Sequence, residues 1–232
     1  MFTGIIEEVG RIAKIEKSGH TWTFSINAPK ICKDSKEGDS ISVDGVCLSV
    51  TEIGKEHFKV QAVRETFERT TLLSFNENQR VNLERAVKPT DRLGGHILTG
   101  HIDGVGRILE KSGQESFTPL EVRTKGAAVA SGNLLLTGFT LKIESPLPLM
   151  KYIVTNGSIA IDGISLTVKE VEKSSFKVTI IPYTTSFTTI GMKKVNDKVN
   201  LETDILAKYV RKAISGNEES ITPEFLKEKG FL

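Results

Sequence analysis

The chain has 232 residues, a formal net charge of +2 at pH 7 and a mean hydropathy of −0.13. Its lysines and arginines are scattered, which argues against a nucleic-acid or acidic-membrane partner, and no apolar run reaches the roughly 20 residues of a membrane helix. The first residues lack the features of a signal peptide, and the two cysteines, Cys32 and Cys47, are too few for a disulfide framework. We therefore predict a cytoplasmic protein of two domains, since about 100 residues is a common size for one core.

The first half of the chain is predicted to consist of short strands. Within residues 40–51, apolar residues alternate with small polar ones, which is the period of a half-buried strand. Turn signals rich in Gly, Ser, Asn and Asp recur at short intervals, at 17–19, 37–39, 44–45, 53–55 and 76–78. Many short strands with such turns predict an antiparallel barrel or sandwich. We place the linker to the second half at residues 88–92.

The second half repeats the first. Residues 43–50 (VDGVCLSV) return as 161–168 (IDGISLTV), so Asp44 corresponds to Asp162 at an offset of 118 positions. The same offset relates 58–60 to 176–178, 70–71 to 188–189, and 81–84 to 199–202, while an offset of 96 relates 3–4 to 99–100 and 9–12 to 105–108. Collinear blocks in a fixed order indicate a duplicated domain, and a duplicated site suits two similar ligands. We predict domains at 1–95 and 96–203 and a helical segment at 204–232.

Because the two offsets differ by 22 positions (118 − 96), the second half carries additional chain. We place this extra segment at about 115–136 and expect it to extend a hairpin.

Few segments are predicted to be helical. Residues 148–153 suit a short helix, and an apolar stripe at helical spacing runs along the C-terminal segment: Ile205, Leu206, Tyr209, Val210, Ala213 and Ile214. Gly216 is expected to end that helix, and Thr222, Pro223 and Gly230 frame a second short one. The stripe is either an oligomer contact or packs on the second barrel.

Alternation places Cys47, Ser49 and Thr51 on one face of a strand and Leu48 and Val50 on the other. If the apolar face fills a barrel, the small polar residues line its outside, where a flat ligand can dock. Cys47 is then a nucleophile or a proton-transfer group. The alternative is that Cys47 is a small buried hydrophobe, which is the commoner fate of a free cysteine.

Two histidines follow the linker. His96 and His101 are five positions apart, which on a strand points them to opposite faces and disfavours a shared metal. His101 takes the place that Ile5 has in the first half, and a histidine at such a position indicates acid–base work or a structural role. The short Gly104-Val105-Gly106 sequence is no dinucleotide fingerprint, and no phosphate-binding loop is present, so no cofactor is predicted.

The two halves also differ in informative ways. Glu65 and Thr66 correspond to Tyr183 and Thr184, so the threonine is kept and its neighbour changes. The two sites are therefore predicted to be similar but not equivalent. Glu65 is alternatively a solvated charge at the end of a strand.

Four segments resemble the riboflavin synthase family of the alpha-chain type, whose members are duplicated lumazine-binding barrels. They are MFTGIIE at 1–7, DGVCLSV at 44–50, the stretch from Gly94-Gly95-His96 through GHIDG at 100–104, and IDGISLTV at 161–168. The resemblance extends from Met1 to about Arg211 and is interrupted only by the extra segment.

The resemblance implies an all-β fold of two tandem six-stranded antiparallel Greek-key barrels with a C-terminal α-helix. It implies a homotrimer in which each active site lies between the first barrel of one subunit and the second barrel of a neighbour. The implied reaction is the dismutation of two 6,7-dimethyl-8-ribityllumazine molecules without a cofactor, in which a four-carbon unit passes from one to the other. The implied partners are this small-molecule substrate and lumazine synthase.

The resemblance also implies site residues. Ser40, Cys47 and His101 match positions that the family associates with catalysis. The implied first pocket comprises Gly4, Ile5, Ile6, Cys47, Leu48, Ser49, Gln61, Ala62, Val63, Arg64, Glu65 and Thr66. The implied second pocket comprises Gly100, His101, Ile102, Ile164, Ser165, Leu166, Val178, Thr179, Ile180, Ile181, Pro182 and Tyr183. Asn156, Asp162 and Thr167 are further substrate-binding positions by the same resemblance, although Asn156 replaces a lysine that is frequent in the family.

Two other functions compete with the enzyme. One is a non-catalytic lumazine- or flavin-binding antenna protein, against which the presence of Cys47 and His101 argues. The other is the flavin-binding module of a reductase, which needs a nicotinamide-binding domain for which the chain shows no fingerprint.

Overall fold

The computed structural model describes residues 1–115 and 138–215, together with Lys227. The first half forms six strands: β1 (Glu8–Ser18), β2 (Thr21–Asn27), β3 (Ser40–Val43), β4 (Val46–Ile53), β5 (His57–Val63) and β6 (Arg80–Arg85). The second half forms six more: β7 (Gly104–Glu115), β8 (Gly138–Glu144), β9 (Ser158–Ile161), β10 (Ile164–Val171), β11 (Ser175–Ile180) and β12 (Lys198–Thr203).

Each set of strands closes into an antiparallel barrel. The first barrel has the strand order β1-β2-β5-β4-β3-β6, and the second has the equivalent Greek-key order β7-β8-β11-β10-β9-β12. Closure leaves the twelve described strands without an open sheet edge, which removes the usual route to edge-to-edge aggregation. The prediction of two six-stranded barrels is confirmed, and the repeat offset of 118 maps β4 onto β10 residue by residue.

Helices are short and lie outside the barrels. They are α1 (Pro29–Cys32), α2 (Arg64–Glu68), α3 (Leu147–Met150), α4 (Pro182–Phe187) and α5 (Ile205–Ser215), with 3-10 helices at Leu72–Ser74 and Thr189–Met192. The short helix predicted at 148–153 corresponds to α3, and the apolar stripe lies on α5 as predicted. The helix framed by Thr222, Pro223 and Gly230 lies outside the described residues. None of the helices in the described ranges is long and apolar enough to cross a membrane.

The extra segment at 115–136 lies almost wholly outside the described residues. The strands on either side of it, β7 and β8, pair as an antiparallel hairpin up to the pair of Glu115 and Gly138. The extra segment therefore follows β7 and precedes β8 in the chain, and the expectation that it extends their hairpin falls on residues outside the described ranges.

Each barrel has its own apolar core, formed mainly by the inward-facing residues that alternate along its strands. In β4, Val46, Leu48 and Val50 are buried while Ser49 and Thr51 are exposed, and β10 repeats this pattern. The alternation that predicted the strands thus also decided which face fills the barrel.

The barrels meet through two equivalent hairpin turns. Asp44 and Gly45 both have positive φ, as do Asp162 and Gly163, which is the conformation of a two-residue Asp-Gly hairpin loop. A side chain at Gly45 would place its Cβ 2.8 Å from the backbone nitrogen of Gly163, and the reverse contact is equally short. Glycine is therefore required at both turns, because the two backbones touch there.

Two asparagines bind the barrels together around a pseudo-twofold axis. Asn82 donates from Nδ2 to the carbonyl of Asp162 (2.9 Å) and accepts at Oδ1 from the amide of Thr189 (2.8 Å). Asn200 makes the corresponding bonds to the carbonyl of Asp44 and the amide of Thr71, both at 2.8 Å. Both asparagines are fully buried, so all four bonds are shielded from water.

Candidate active site

Two short segments run side by side between the barrels. We name residues 2–5 the first strap and residues 98–101 the second strap. Phe2 donates its amide to the carbonyl of Leu98 (2.8 Å) and accepts from the amide of Leu98 (3.0 Å). Phe2 and Leu98 form a small third core with Ala160, against which Cys47 packs. Both straps therefore contribute a buried side chain to the cluster on which Cys47, one of the predicted site residues, packs.

Each strap is held by a buried glutamate from the barrel of its own half. Glu84 accepts from the amide and hydroxyl of Thr3 (2.6 and 2.7 Å) and from the amide of Gly4 (2.9 Å). Glu202 accepts the same three bonds from Thr99 and Gly100. Burial raises the pKa of both carboxyls, and the donated hydrogen bonds oppose this effect. The repeated block that ends in Glu84 and Glu202 contained this signal, but sequence reasoning did not assign it a role.

Each strap is hydrogen-bonded to the barrel of the other half. Ser165 of the second barrel donates its amide to the carbonyl of Gly4, and Cys47 of the first barrel donates its amide to the carbonyl of Gly100, both at 2.9 Å. Farther along each segment, Ile6 packs on the core of the second barrel and Ile102 belongs to the core of the first.

This exchange differs from the grouping of the two pockets that the resemblance implied. That grouping put Gly4, Ile5 and Ile6 with Cys47, and put Gly100, His101 and Ile102 with Ser165. In the structure, the first strap lies against Ser165 and the second strap lies against Cys47. We therefore define the first pocket by Cys47 and the second strap, and the second pocket by Ser165 and the first strap.

The straps approach the strands too closely for any side chain at their glycines. Gly4 and Gly100 have φ of +79° and +77°, and a Cβ on either would lie 2.5 Å from the Cβ of Ser165 or Cys47. Glycine satisfies both the left-handed backbone and the close contact. These two positions hold Cys47 and Ser165 against the backbone of the straps.

The predicted catalytic residues lie on or beside the polar face of the first barrel. Cys47 is half-buried and pairs across β3 and β4 with Ser42, whereas Ser40 pairs with Ser49. Ser40 and Cys47 are thus on the same face of the sheet, two residues apart along the paired strands. Ser40 also lines a cleft of about 570 Å³ together with Ile5 and Glu84. His101 is exposed at the end of the second strap, next to Gly100 and hence on the Cys47 side.

Many residues implied by the resemblance face the barrel interiors. Leu48, Ala62, Ile164, Leu166, Val178 and Ile180 are all buried in the two cores. Their side chains shape the barrels, and only their backbones are available to a ligand on the outside. Asp162 is fully buried at the interface between the barrels, where its side chain bonds Asn200 and Lys193.

The remaining implied residues lie at or near the surface of the two halves. They are the exposed or half-buried residues Ser49, Gln61, Val63, Arg64, Glu65 and Thr66 of the first half, and Thr167, Thr179, Ile181, Pro182 and Tyr183 of the second. Arg64, Glu65 and Thr66 begin α2, and Pro182 and Tyr183 begin α4, so the two halves have equivalent short helices with different side chains. Tyr183 stacks on Phe187 at a ring separation of 4.5 Å, and both side chains are exposed. In α2, by contrast, Phe67 is buried against Trp22.

Asn156 occupies a turn. Its φ is +63°, and its amide donates to the carbonyl of Val168 (2.8 Å), just as Gly38 donates to Val50 in the first half. Asparagine tolerates the left-handed conformation better than most residues. The backbone conformation of the turn therefore explains why an asparagine suits position 156.

His96 and His101 are not on a strand, so the argument that a strand separates them was based on a wrong premise. His96 is buried and His101 is exposed, and His96 Nδ1 lies 2.7 Å from Ser165 Oγ. Among residues 1–115 and 138–215, no cluster of three His, Cys, Asp or Glu side chains is arranged to hold a metal ion. Sequence reasoning missed the His96–Ser165 contact because the two residues are 69 positions apart.

Comparisons with known proteins agree with the duplication. The lumazine binding domain family model matches residues 3–86 and again 99–204. The riboflavin synthase of Actinobacillus pleuropneumoniae is 42% identical, and that of Bacillus subtilis (strain 168) is 36% identical, each over the full length of both chains. The chain belongs to the riboflavin synthase family. Each half of the chain matches the lumazine binding domain model separately.

Solved structures add support for the fold. A crystal structure of LumP complexed with riboflavin has a TM-score of 0.74 at 24% identity, covering 88% of this chain and 99% of LumP. LumP complexed with 6,7-dimethyl-8-(1'-D-ribityl) lumazine gives a TM-score of 0.71. The family's two-barrel architecture is therefore present throughout the described part of this chain.

Proposed function

We propose that this protein is a riboflavin synthase, a transferase that catalyses the final step of riboflavin biosynthesis. Two molecules of 6,7-dimethyl-8-ribityllumazine react, and one donates a four-carbon unit to the other. The products are riboflavin and 5-amino-6-(D-ribitylamino)uracil. The reaction is a dismutation of one compound, so carbon and electrons balance without a cofactor.

The observation that carries the proposal is the pair of related but unequal pockets. The first combines Cys47 with the strap that ends in His101, and the second combines Ser165 with the strap that ends in Ile5. Two copies of one substrate must act as donor and acceptor. Pockets of similar shape and different chemistry bind the same heterocycle twice and give the two copies different roles.

We assign roles to three residues. Cys47, with Ser40 on the same face, adds to one lumazine or activates the nucleophile that does so. His101 takes a proton from the acidic ring methyl group of the other lumazine. The exposed position of His101 supports this role, because the side chain is free to reach a ligand that arrives from a facing surface.

A homotrimer completes the proposal. On α5, Leu206, Tyr209, Val210 and Ile214 are each at least 58% exposed, so the apolar stripe has no cover from the described part of its own chain. An apolar helix face of this kind suits contact with other copies. In such an assembly the first pocket of one subunit faces the second pocket of a neighbour. Association with lumazine synthase remains a prediction.

The cytoplasm is the proposed location. Cys32 and Cys47 are both free thiols, which a reducing compartment preserves.

Turnover of the lumazine alone tests the proposed reaction. The purified protein is mixed with 6,7-dimethyl-8-ribityllumazine, and riboflavin is followed by absorbance and chromatography. We expect one riboflavin for each two lumazines consumed, with no added cofactor. Tight binding without turnover would instead support the antenna protein. Light scattering tests the trimer, which a Tyr209→Asp variant is expected to dissociate and an exposed-site Glu56→Gln control is not.

A further inference from the structure

His96 is seated against the second pocket. Its side chain is more than nine-tenths buried, and its Nδ1 lies 2.7 Å from the hydroxyl oxygen of Ser165. Its amide donates to the carbonyl of Thr3 (3.1 Å). The preceding Gly95 is packed so closely that a Cβ there would lie 2.1 Å from that carbonyl and 2.9 Å from Ser165 Oγ. The backbone thus fixes the imidazole at one place beside Ser165.

The surroundings of the ring indicate the direction of this hydrogen bond. Burial lowers the pKa of His96, against the opposing charge of Asp204, so the imidazole is neutral and carries one N–H. The other ring nitrogen, Nε2, is buried and has no partner among the described residues. A buried N–H without a partner is costlier to accept than a buried lone pair. We therefore assign the proton to Nδ1, which donates to Ser165 and leaves the serine proton free to point outward.

Among the residues that the structure describes, the first pocket has no equivalent of this contact. Cys47 corresponds to Ser165, and within the described ranges its Sγ makes no side-chain hydrogen bond. Its surroundings are the apolar Phe2, Leu98 and Ala160. One pocket therefore has a thiol beside an apolar cluster, and the other has a hydroxyl oriented by an imidazole.

We propose that His96 is a positioning residue that orients the Ser165 hydroxyl as a hydrogen-bond donor to the ligand of the second pocket. The group it recognises is an acceptor on the edge of a pyrimidinedione ring, a carbonyl oxygen or a ring nitrogen. This contact distinguishes the two lumazine molecules, since the second pocket has a fixed donor where the described part of the first pocket has the Cys47 thiol. The inference rests on the proposed function and adds a residue that acts through Ser165.

Ligand binding to the intact oligomer tests the role of His96. Riboflavin is titrated by fluorescence quenching into the wild type and into His96→Leu, His96→Asn, Ser165→Ala and the His96→Leu/Ser165→Ala double variant. The affinity that weakens in Ser165→Ala is assigned to the second pocket, and the one that weakens in Gly100→Ala to the first. His57→Leu, at an exposed histidine of the first barrel, is the matched control.

We expect His96→Leu to weaken the second-pocket affinity about tenfold, which is the loss of one neutral hydrogen bond. His96→Asn is expected to restore it to within about threefold, because an asparagine amide reaches the place of Nδ1 and donates there. The double variant is expected to bind no more weakly than Ser165→Ala, since both changes remove one contact.

Three results would overturn the proposal. They are additive losses in the double variant, equal weakening of both pockets by His96→Leu, and failure of the folded His96→Asn variant to restore affinity. If His96→Leu does not fold, Ser165→Ala and His96→Asn still decide, because a Ser165→Ala variant in which neither riboflavin affinity weakens excludes the contact. If the wild type binds riboflavin but does not turn over the lumazine, only the proposed function is contradicted. If the wild type turns over normally and His96→Leu leaves the second-pocket affinity unchanged, only the role of His96 is contradicted.

Discussion

Lys193 Nζ lies 2.6 Å from Asp162 Oδ2 at the interface between the barrels, and this ion pair breaks the pseudo-twofold symmetry. At the offset of 118, the residue that corresponds to Lys193 is Phe75. Asp44 and Asp162 are both buried there, so one lysine serves two carboxyls. The interface is balanced in charge only when one of the two carboxyls keeps its proton.

Removing the charge of Lys193 is expected to destabilise the protein. Lys193→Met keeps the length of the side chain but leaves Asp162 buried without its cation, which costs about 3–5 kcal/mol. Urea unfolding at neutral pH measures the change. Lys194→Met, at the exposed neighbour, is the control and is expected to change stability by less than about 0.5 kcal/mol. Equal effects of the two variants would show that the ion pair contributes nothing specific.

Stability is expected to fall as the pH rises through the titration of Asp44. Burial and the charge of Asp162 raise the pKa of Asp44 from 3.8 to about 8, against the opposing effect of Lys193. Between these values the native state holds a proton that the unfolded chain releases, so this stabilising contribution is complete below about pH 4 and is lost as the pH approaches about 8.

Asp44→Asn is the variant that isolates this titration. Asparagine still accepts from the amide of Asn82, as Asp44 Oδ1 does. In the wild type the unfolding free energy falls as the pH rises through that window. We expect this fall to be smaller in Asp44→Asn, by up to about 1.4 kcal/mol per pH unit. Urea unfolding from about pH 5 to about pH 8 measures the slope. Glu56→Gln at an exposed site is the control, and an unchanged slope in Asp44→Asn would contradict the assignment.

The cross-barrel bonds of Asn200 are expected to be a large part of the interface energy. Asn200→Ala leaves the buried carbonyl of Asp44 and the amide of Thr71 without partners. We expect a loss of about 2–4 kcal/mol, measured by urea unfolding. Asn27→Ala on the exposed side of β2 provides the comparison. A loss below about 0.5 kcal/mol at Asn200 would mean that other contacts hold the barrels together.

Gly100→Ala is expected to damage the first pocket. The substitution strains a backbone at φ +77° and pushes a Cβ to 2.5 Å from that of Cys47. We expect a cost of about 2–5 kcal/mol together with weaker ligand binding. Gly19→Ala separates the two effects, because Gly19 has φ +55° and no atom within 4 Å. If both variants lose the same stability, backbone strain alone accounts for Gly100.

Turnover is expected to depend on Cys47 and His101. His101→Ala removes a general acid–base group, which typically contributes about 10²–10⁴-fold to the rate. Cys47→Ser exchanges the thiol for a weaker nucleophile of similar size. Steady-state turnover of the lumazine measures both variants, with His57→Ala as the control. Full turnover in either variant would remove that residue from the scheme.

Much of this architecture followed from the sequence. The alternation of Leu48 and Val50 with Cys47 and Ser49 depends only on the twofold period of a strand, and the repeat of Asp44-Gly45 as Asp162-Gly163 predicted a second barrel like the first. The Ile205–Ser215 helix was predicted from its apolar stripe, because helical spacing is also a local property.

What joins the two halves was decided only by the tertiary structure. The straps exchange barrels, Asn82 and Asn200 bond across the interface, and His96 reaches Ser165, and none of these contacts leaves a periodic pattern in the chain. They arise because two closed barrels bury a common surface, where every backbone and carboxyl group must find a partner from whichever half is near. The sequence by itself therefore determined the two barrels and their faces, and the packing of one barrel against the other determined which residues share a pocket.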